Sequence, residues 1–385
     1  MGVEMSDKEI KKTPLLRFQA YKEAWEQCKL GDMLKTHQFK PYLANPKEEG
    51  EYEVIQQGDK SIIGYANGNP FRSYRGVTLF GDHTVSLYKP SKPFFVATDG
   101  VKILSSDRLE GRFLFTFLEK YKPEPQGYKR HFTILKNESA WITRSEEEQV
   151  KIGTFFEKID NFITFQQREV ELLELEKRTL LSKLFSKEGE RVPEIRFVGF
   201  ADAWEQRRFK DFTKLSQGLQ IAISERYVEP DENRLFYITN EFLNPSSDRK
   251  YYIENPSESV IANLDDILMT RTGNTGKVLT GIKGAFHNNF FKIDYNSRQI
   301  SKLFLYYLLT SEHIQKEILK RAGTSTIPDL NHSDFYNIEV SVPKYDEQKD
   351  IGRFFHALDN TITLHKRKLE VIKEMKKTLL KSMFV

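Results

Sequence analysis

Cysteine is almost missing from this chain: Cys28 is the one example among 385 residues. That excludes an internal disulfide framework and a multi-thiolate metal site, and it fits a reducing cytoplasmic compartment. No apolar run approaches the roughly 18–20 residues that cross a bilayer, so no membrane partner is expected. The opening MGVEMSDKEIKK is polar and lacks the apolar core of a signal peptide, although MGVEMS fits the loose N-myristoylation pattern. Catalytic signatures are equally scarce. RTGNTGKV (271–278) carries Arg271 and Val278 where a phosphate loop needs Gly and Ser or Thr. GNPF (68–71) lacks the second proline of the amino-methyltransferase tetrapeptide, and no glycine-rich cofactor turn accompanies it. The 8 histidines show no metal-ligand spacing, and there is no G-x-S-x-G elbow. The sequence offers no active site of its own.

What is there is a globular composition, 39% hydrophobic and 30% charged, with a net charge of +4 that permits an anionic partner. There is also a repeat. TPLLRFQAYKEAWEQCKLGD returns as VPEIRFVGFADAWEQRRFKD, so Pro14, Arg17, Phe18, Trp25, Glu26, Gln27 and Asp32 recur as Pro193, Arg196, Phe197, Trp204, Glu205, Gln206 and Asp211. Residues 147–185 pair without gaps with 346–384: Gln149, Gly153, Phe155, Phe156, Asp160 and Asn161 reappear as Gln348, Gly352, Phe354, Phe355, Asp359 and Asn360. The blocks between these phrases, about 33–145 and 212–344, differ in sequence and length. The frame repeats while its contents change.

The longer repeated segment reads as a heptad seam. Steps of four and three give Ile152, Phe156, Ile159, Ile163, Gln166, Val170, Leu173, Lys177, Leu180 and Leu184, apolar except at Gln166 and Lys177. The second copy gives Ile351, Phe355, Leu358, Ile362, His365, Leu369, Ile372, Lys376, Leu379 and Met383, broken at the same two places. A polar seam residue costs stability and fixes register. Each helix of about 40 residues would be roughly 60 Å long, and the two are expected to pair antiparallel. Acidic Glu146–Glu148 and Asp346–Glu347 suit the helix N-termini.

Inside the variable blocks, VTLFGDHTVSLY, KPFFVATDGVKIL, SVIANLDDILMTRTG and NFFKID read as short strands, and 108–121 and 301–322 as helices. The expected fold class is α+β: two globular recognition domains, two long helices forming an antiparallel coiled coil, and a pseudo-twofold internal repeat. The expected boundaries are a flexible tail at 1–12, domains at 13–145 and 188–345, and helical spacers at 146–187 and 346–385.

Three loops carry recognition chemistry. TRTGNTGKV places Arg271, Thr272, Asn274 and Lys277 after a strand, a set suited to base edges and phosphates. KRAGTSTIPDLN (320–331) adds the hydroxyls Thr324, Ser325 and Thr326. PQGYKRHF (125–132), at the matching place in the first block, interleaves Lys129, Arg130 and His131 with aromatics.

Taken with the P-x-[IL]-R-F…W-E phrase, GTSTIP and the EQ-x-x-I-G-x-FF helix, this frame resembles the specificity subunit of Type I restriction-modification systems over about 13–385. One departure is that the first block has GYKRHF where the second has GTSTIP. The resemblance implies that each block reads one half of a bipartite, asymmetric site in double-stranded DNA. The two helices would set the half-site spacing, one to two turns at ~34 Å per turn. It implies two docked methyltransferase subunits and further restriction subunits, with S-adenosylmethionine, ATP and Mg on those partners and no cofactor on this chain. The seam residues Ile152, Phe156, Ile159, Ile163, Leu173, Leu180, Ile351, Phe355, Leu358, Ile362, Ile372 and Leu379 would form the spacer and partner interface. The alternatives from other classes are a non-DNA adaptor with two ligand-binding domains on a strut, and a self-contained methyltransferase fusion.

Overall fold

The computed structural model describes residues 13–127, 129–244, 246–323 and 328–385. The first block opens with β1 (Glu26–Lys29), a one-turn α1 (Leu30–Met33), β2 (Lys35–His37), β3 (Tyr52–Ile55) and β4 (Ile62–Ala66). It continues with β5 (Thr78–Gly81), β6 (Leu87–Tyr88), β7 (Phe94–Val96), β8 (Val101–Ser105), α2 (Gly111–Tyr121), α3 (His131–Asn137), β9 (Ser139–Ile142) and the long α4 (Glu146–Leu184). The second block has β10 (Glu205–Arg208), β11 (Thr213–Gln217), β12 (Arg234–Ile238), β13 (Tyr251–Glu254), β14 (Ile261–Ala262), β15 (Leu268–Thr270), β16 (Val278–Leu279), β17 (Gly284–Phe286) and β18 (Phe290–Tyr295). It closes with α5 (Lys302–Thr310), α6 (Glu312–Ala322), α7 (His332–Tyr336), β19 (Glu339–Val342) and the long α8 (Tyr345–Met383). The single helix expected over 301–322 is two helices. Ser311 takes an extended ψ of 146°, and its buried hydroxyl bonds the Leu308 carbonyl (2.7 Å).

The chain packs as two compact units. One holds the described residues up to Arg168 with Lys366–Val385; the other is Glu169–His365. Each long helix therefore gives its N-terminal half to one unit and its C-terminal half to the other, where the halves run antiparallel. In the first unit Phe384 lies beside Phe156 (ring centroids 6.3 Å) and Lys376 beside Asp160 (2.5 Å). In the second, Phe185 stacks on Phe355 (6.1 Å) and Lys177 meets Asp359 (2.6 Å). All twenty expected seam positions are buried or half-buried.

The two lysine breaks in the seam have partners. Lys376 donates to Asp160 Oδ1 and to Glu119 Oε1 (2.6 Å). Lys177 pairs with Asp359, whose other oxygen accepts from Tyr307 Oη (2.8 Å). The lysine at the second break of each helix thus selects the repeated Asp of the opposite helix, which fixes the antiparallel register.

The sequence blocks look unlike each other, yet they share one topology. Sheet β2-β8-β5-β6 matches β11-β18-β15-β16, antiparallel throughout. Strands β4-β3-β7 match β13-β12-β17, each with an antiparallel and then a parallel pair. The pair β1-β9 matches β10-β19. Each unit thus has central strands buried along their whole length (β5 and β7, β15 and β17), with α2 or α5 packed between the sheet and a long helix.

The repeated residues hold the frame. Glu148 and Glu347 are fully buried at the long-helix starts, and Arg17 and Arg196 grip them through two hydrogen bonds each, at 2.6–2.8 Å. Buried Gln149 accepts from Glu110 N (2.8 Å) and donates to the Arg108 and Thr143 carbonyls; Gln348 does the same with Ser301 N, Gln299 O and Pro343 O. Gly153 and Gly352 let the helices cross closely, because a Cβ would come within 2.6 Å of Phe113 N or of Leu303 Cβ. Trp25 and Trp204 are buried, packing edge-on against Phe384 and Phe304.

Removing one partner of a buried pair strands the other charge. Arg17→Ala should lower unfolding free energy by roughly 3–5 kcal/mol. The double change Arg17→Met with Glu148→Leu should recover most of that loss. Urea unfolding followed by circular dichroism measures both, and a single-variant loss below about 1 kcal/mol would contradict the assignment.

Candidate nucleic-acid interface

The recognition loops of both domains sit on the same piece of fold, the turn joining the last two strands of the four-stranded sheet. In the second domain the β15–β16 turn runs from Arg271 to Lys277. Thr270 organises its base: its hydroxyl donates to Asn274 O (2.5 Å) and accepts from Lys277 N (2.9 Å). Gly273 and Asn274 both have a φ of +63°, which glycine and asparagine tolerate at a tight turn. The segment that follows α6 docks on this turn. Leu330 N donates to Arg271 O (2.9 Å), Thr275 Oγ1 to Pro328 O (2.8 Å), and Thr272 bridges Asp329 in antiparallel fashion. Residues 328–330 of the second loop thus lie against the turn.

Their side chains divide by role. Asn274 and Lys277 are exposed. Arg271 is committed: its guanidinium forms a two-point pair with Asp329 (3.0 and 2.6 Å) and lies over Phe291 (5.5 Å). Thr272 is half-buried, and its carbonyl accepts from Asn240 Nδ2 (2.9 Å). Thr324, Ser325 and Thr326 lie outside the described residues.

In the first domain the corresponding turn is β5–β6, Asp82–Ser86, and the segment that docks on it contains 129–131. His131 N donates to Asp82 O (2.8 Å), as Leu330 N does to Arg271 O. Phe132 N bonds Asp82 Oδ1 (2.9 Å). His131 itself is fully buried rather than solvent-facing. Gln126 N donates to its Nε2 (2.8 Å), so Nδ1 carries the proton and donates to Asp82 O (3.0 Å). The ring ties the segment to the turn. Lys129 and Arg130 are exposed. Reading the sequence missed the FGDHTV turn, whose strand–turn–strand pattern carries no mark of its pairing with 129–131.

The turns differ in length, four residues between Gly81 and Ser86 and six between Thr270 and Lys277, but share a left-handed position at their end. Gly276 N bonds Thr270 O at a φ of +89°, and Val85 N bonds Gly81 O at a φ of +59°. A β-branched residue in that region is strained by about 1–3 kcal/mol, and Val85 is held there by burial in the domain core. Among the described residues no group of three His, Cys, Asp or Glu could hold a metal, and no helix is long and apolar enough to cross a membrane.

The two domains share one topology within one repeated frame and present loops of different sequence. A family model, "Type I restriction modification DNA specificity domain", matches residues 201–374. The Type I restriction enzyme MjaVIII specificity subunit of Methanocaldococcus jannaschii is 28% identical over 61% of this chain and 58% of its own length. The putative MjaX specificity subunit of the same organism is 24% identical over 61% of this chain and 56% of its own length. The chain thus matches less than two thirds of the length of these relatives. The fold is that of the Type I restriction-modification S subunit from M. genitalium (TM-score 0.62, 17% identity, 97% of this chain and 99% of that one). It is also that of a chain solved in a study of complex assembly and conformational transition of the type I R-M system (TM-score 0.54, 14% identity, 93% and 96% covered). Residues 201–374 thus resemble the Type I restriction modification DNA specificity domain, and the fold over the whole chain is that of these solved S-subunit structures.

The strain at Val85 gives an inverted ranking. Val85→Ala keeps the unfavourable backbone and loses buried methyls, whereas Val85→Gly loses slightly more surface but relieves the strain. The Gly variant should be the more stable of the two by about 1 kcal/mol. Denaturant midpoints of the two variants test this, and an Ala variant more stable than the Gly variant would refute it.

Proposed function

We propose that the chain is the non-catalytic DNA-reading subunit of a Type I restriction-modification complex, with each domain recognising one half of a bipartite, asymmetric site. The observation that carries this reading is the pairing of like frames with unlike contents. Two loop regions of different sequence stand on equivalent turns, as two readers of different half-sites require. Exposed Asn274 and Lys277 in the second domain and Lys129 and Arg130 in the first supply groove and phosphate contacts. Affinity comes mainly from the cations, and base discrimination from a few amide and hydroxyl groups.

The partners are two methyltransferase subunits. Each long helix carries an exposed apolar stripe besides its buried seam: Phe162, Phe165, Leu172 and Leu175 on α4, and Leu364, Val371 and Met375 on α8. Phe165 with Leu364, and Leu172 with Val371, are equivalent positions of the repeat. A stripe written twice suits two copies of one partner. S-adenosylmethionine, ATP and Mg reside on the methyltransferase and restriction subunits, which carry out adenine methylation and ATP-dependent cleavage. The long helices act as the ruler between half-sites.

Methylation mapping of the host genome with and without the gene should reveal a bipartite adenine motif that disappears on deletion. An unchanged methylome would favour the non-DNA adaptor instead. Asn274→Ala with Lys277→Ala should degrade recognition of one half-site and leave the other; equal loss at both would defeat independent reading. Inserting four residues beside Gln166 should change the required half-site spacing or abolish assembly, whereas an unchanged spacing would end the ruler idea.

A further inference from the structure

The two recognition turns are equivalent, so their differences are informative. Strand register fixes the correspondence. Lys102 pairs with Phe80 beside Gly81, and Phe291 with Met269 beside Thr270, so Lys102 stands where Phe291 stands. His37 faces Ile103 as Ser216 faces Lys292, so Gln38 corresponds to Gln217. His131 corresponds to Leu330 through its hydrogen bond to the turn, which places Thr133 where His332 is.

In the second domain His332 fills this place. Its ring lies on Phe291 (4.6 Å), with Arg271 on the same ring and Asp329 holding Arg271. Burial and the Arg271 charge both push the His332 imidazole below its usual pKa, so it rests there neutral. In the first domain the smaller Thr133 leaves a cleft of about 430 Å³ between edge strand β2 and the start of α3. Its floor is neutralised: Lys102 lies 3.5 Å from Asp82 and donates to Asp99 O. Its rim is not. Gln38, Arg130 and Thr133 are exposed and have no side-chain partner among the described residues. Asp82, at the Arg271 position, is engaged by Phe132 N and Lys102, which leaves Arg130, at the Asp329 position, a free cation.

We propose that this cleft is the duplex-reading subsite of the first domain, with Arg130 on a backbone phosphate and the Gln38 amide on a base edge. The inference rests on the DNA-reading function proposed above. A carboxamide at a strand edge presents the paired donor and acceptor that match an adenine edge in the major groove. An unpaired guanidinium at the rim neutralises one phosphate and sets the register of the amide. The second domain, with its equivalent space occupied, reads through its turn tip instead.

The test uses the assembled methyltransferase complex and duplexes carrying the mapped bipartite site, with each base pair of each half substituted in turn. Gln38→Ala should lose about tenfold discrimination at one or two positions of one half only. Arg130→Ala should weaken binding to every duplex by a similar factor and lower the salt slope by about one. Thr133→His, which copies the second domain and fills the cleft, should reduce discrimination in the same half as Gln38→Ala. All three positions are on the surface, so the variants should assemble normally. If the unsubstituted complex discriminates both halves and the three variants match it, the subsite assignment is wrong while the DNA-reading function stands. If the unsubstituted complex selects no duplex, both fall.

Discussion

The buried carboxylate at the start of each long helix is the constraint on which the rest of the structure depends. Glu148 and Glu347 have essentially no exposure to water, a position a charged group occupies only with a partner of matching geometry. That partner is an arginine from the phrase opening each block, more than a hundred residues earlier in the chain. The pair ties the beginning of a domain to its end. The neighbouring Gln149 and Gln348 then tie the same helical turn to the start of α2 or α5 through two hydrogen bonds each, and to the chain entering the long helix through a third. The glycine one turn on lets the helices cross at backbone distance. The repeated frame is therefore a closed set of polar and steric fits, which leaves the sheet between its ends free to vary in surface.

That freedom is visible in the recognition turns. Both domains use the same strands in the same register, and both dock the segment after a helix onto the same turn through one backbone hydrogen bond. The charged groups around that bond differ. Where one domain has an arginine held by an aspartate over a phenylalanine, the other has an aspartate beside a lysine and an arginine at liberty. The position that needs a left-handed backbone is glycine in one and a strained valine in the other. Backbone topology conserves the platform, and side chains set what stands on it.

The long helices were the most legible part of the sequence. Their seam was readable from Ile152 to Met383 because heptad spacing is a local property, and every seam position is at least half-buried. Arg271 and His131 were legible as members of polar loops, but not in their roles. Arg271 is held by Asp329, and His131 is a buried brace whose two ring nitrogens both bond backbone. A polar residue in a loop reads the same whether it points outward or is consumed internally. Only the position of its partner, 58 residues away for Arg271, distinguishes the two.

By itself the sequence determined the repeated frame, the two helices and the family resemblance, since each is written in spacing along one dimension. Tertiary structure alone decided that unlike blocks share one topology. Strand order and register depend on pairings between distant segments, and many sequences satisfy the same alternation of buried and exposed faces. It also decided which cations are free. In the first domain a threonine in place of a histidine opens a cleft beside Arg130 and Gln38, a consequence of side-chain volume at a position that neither loop motif marks.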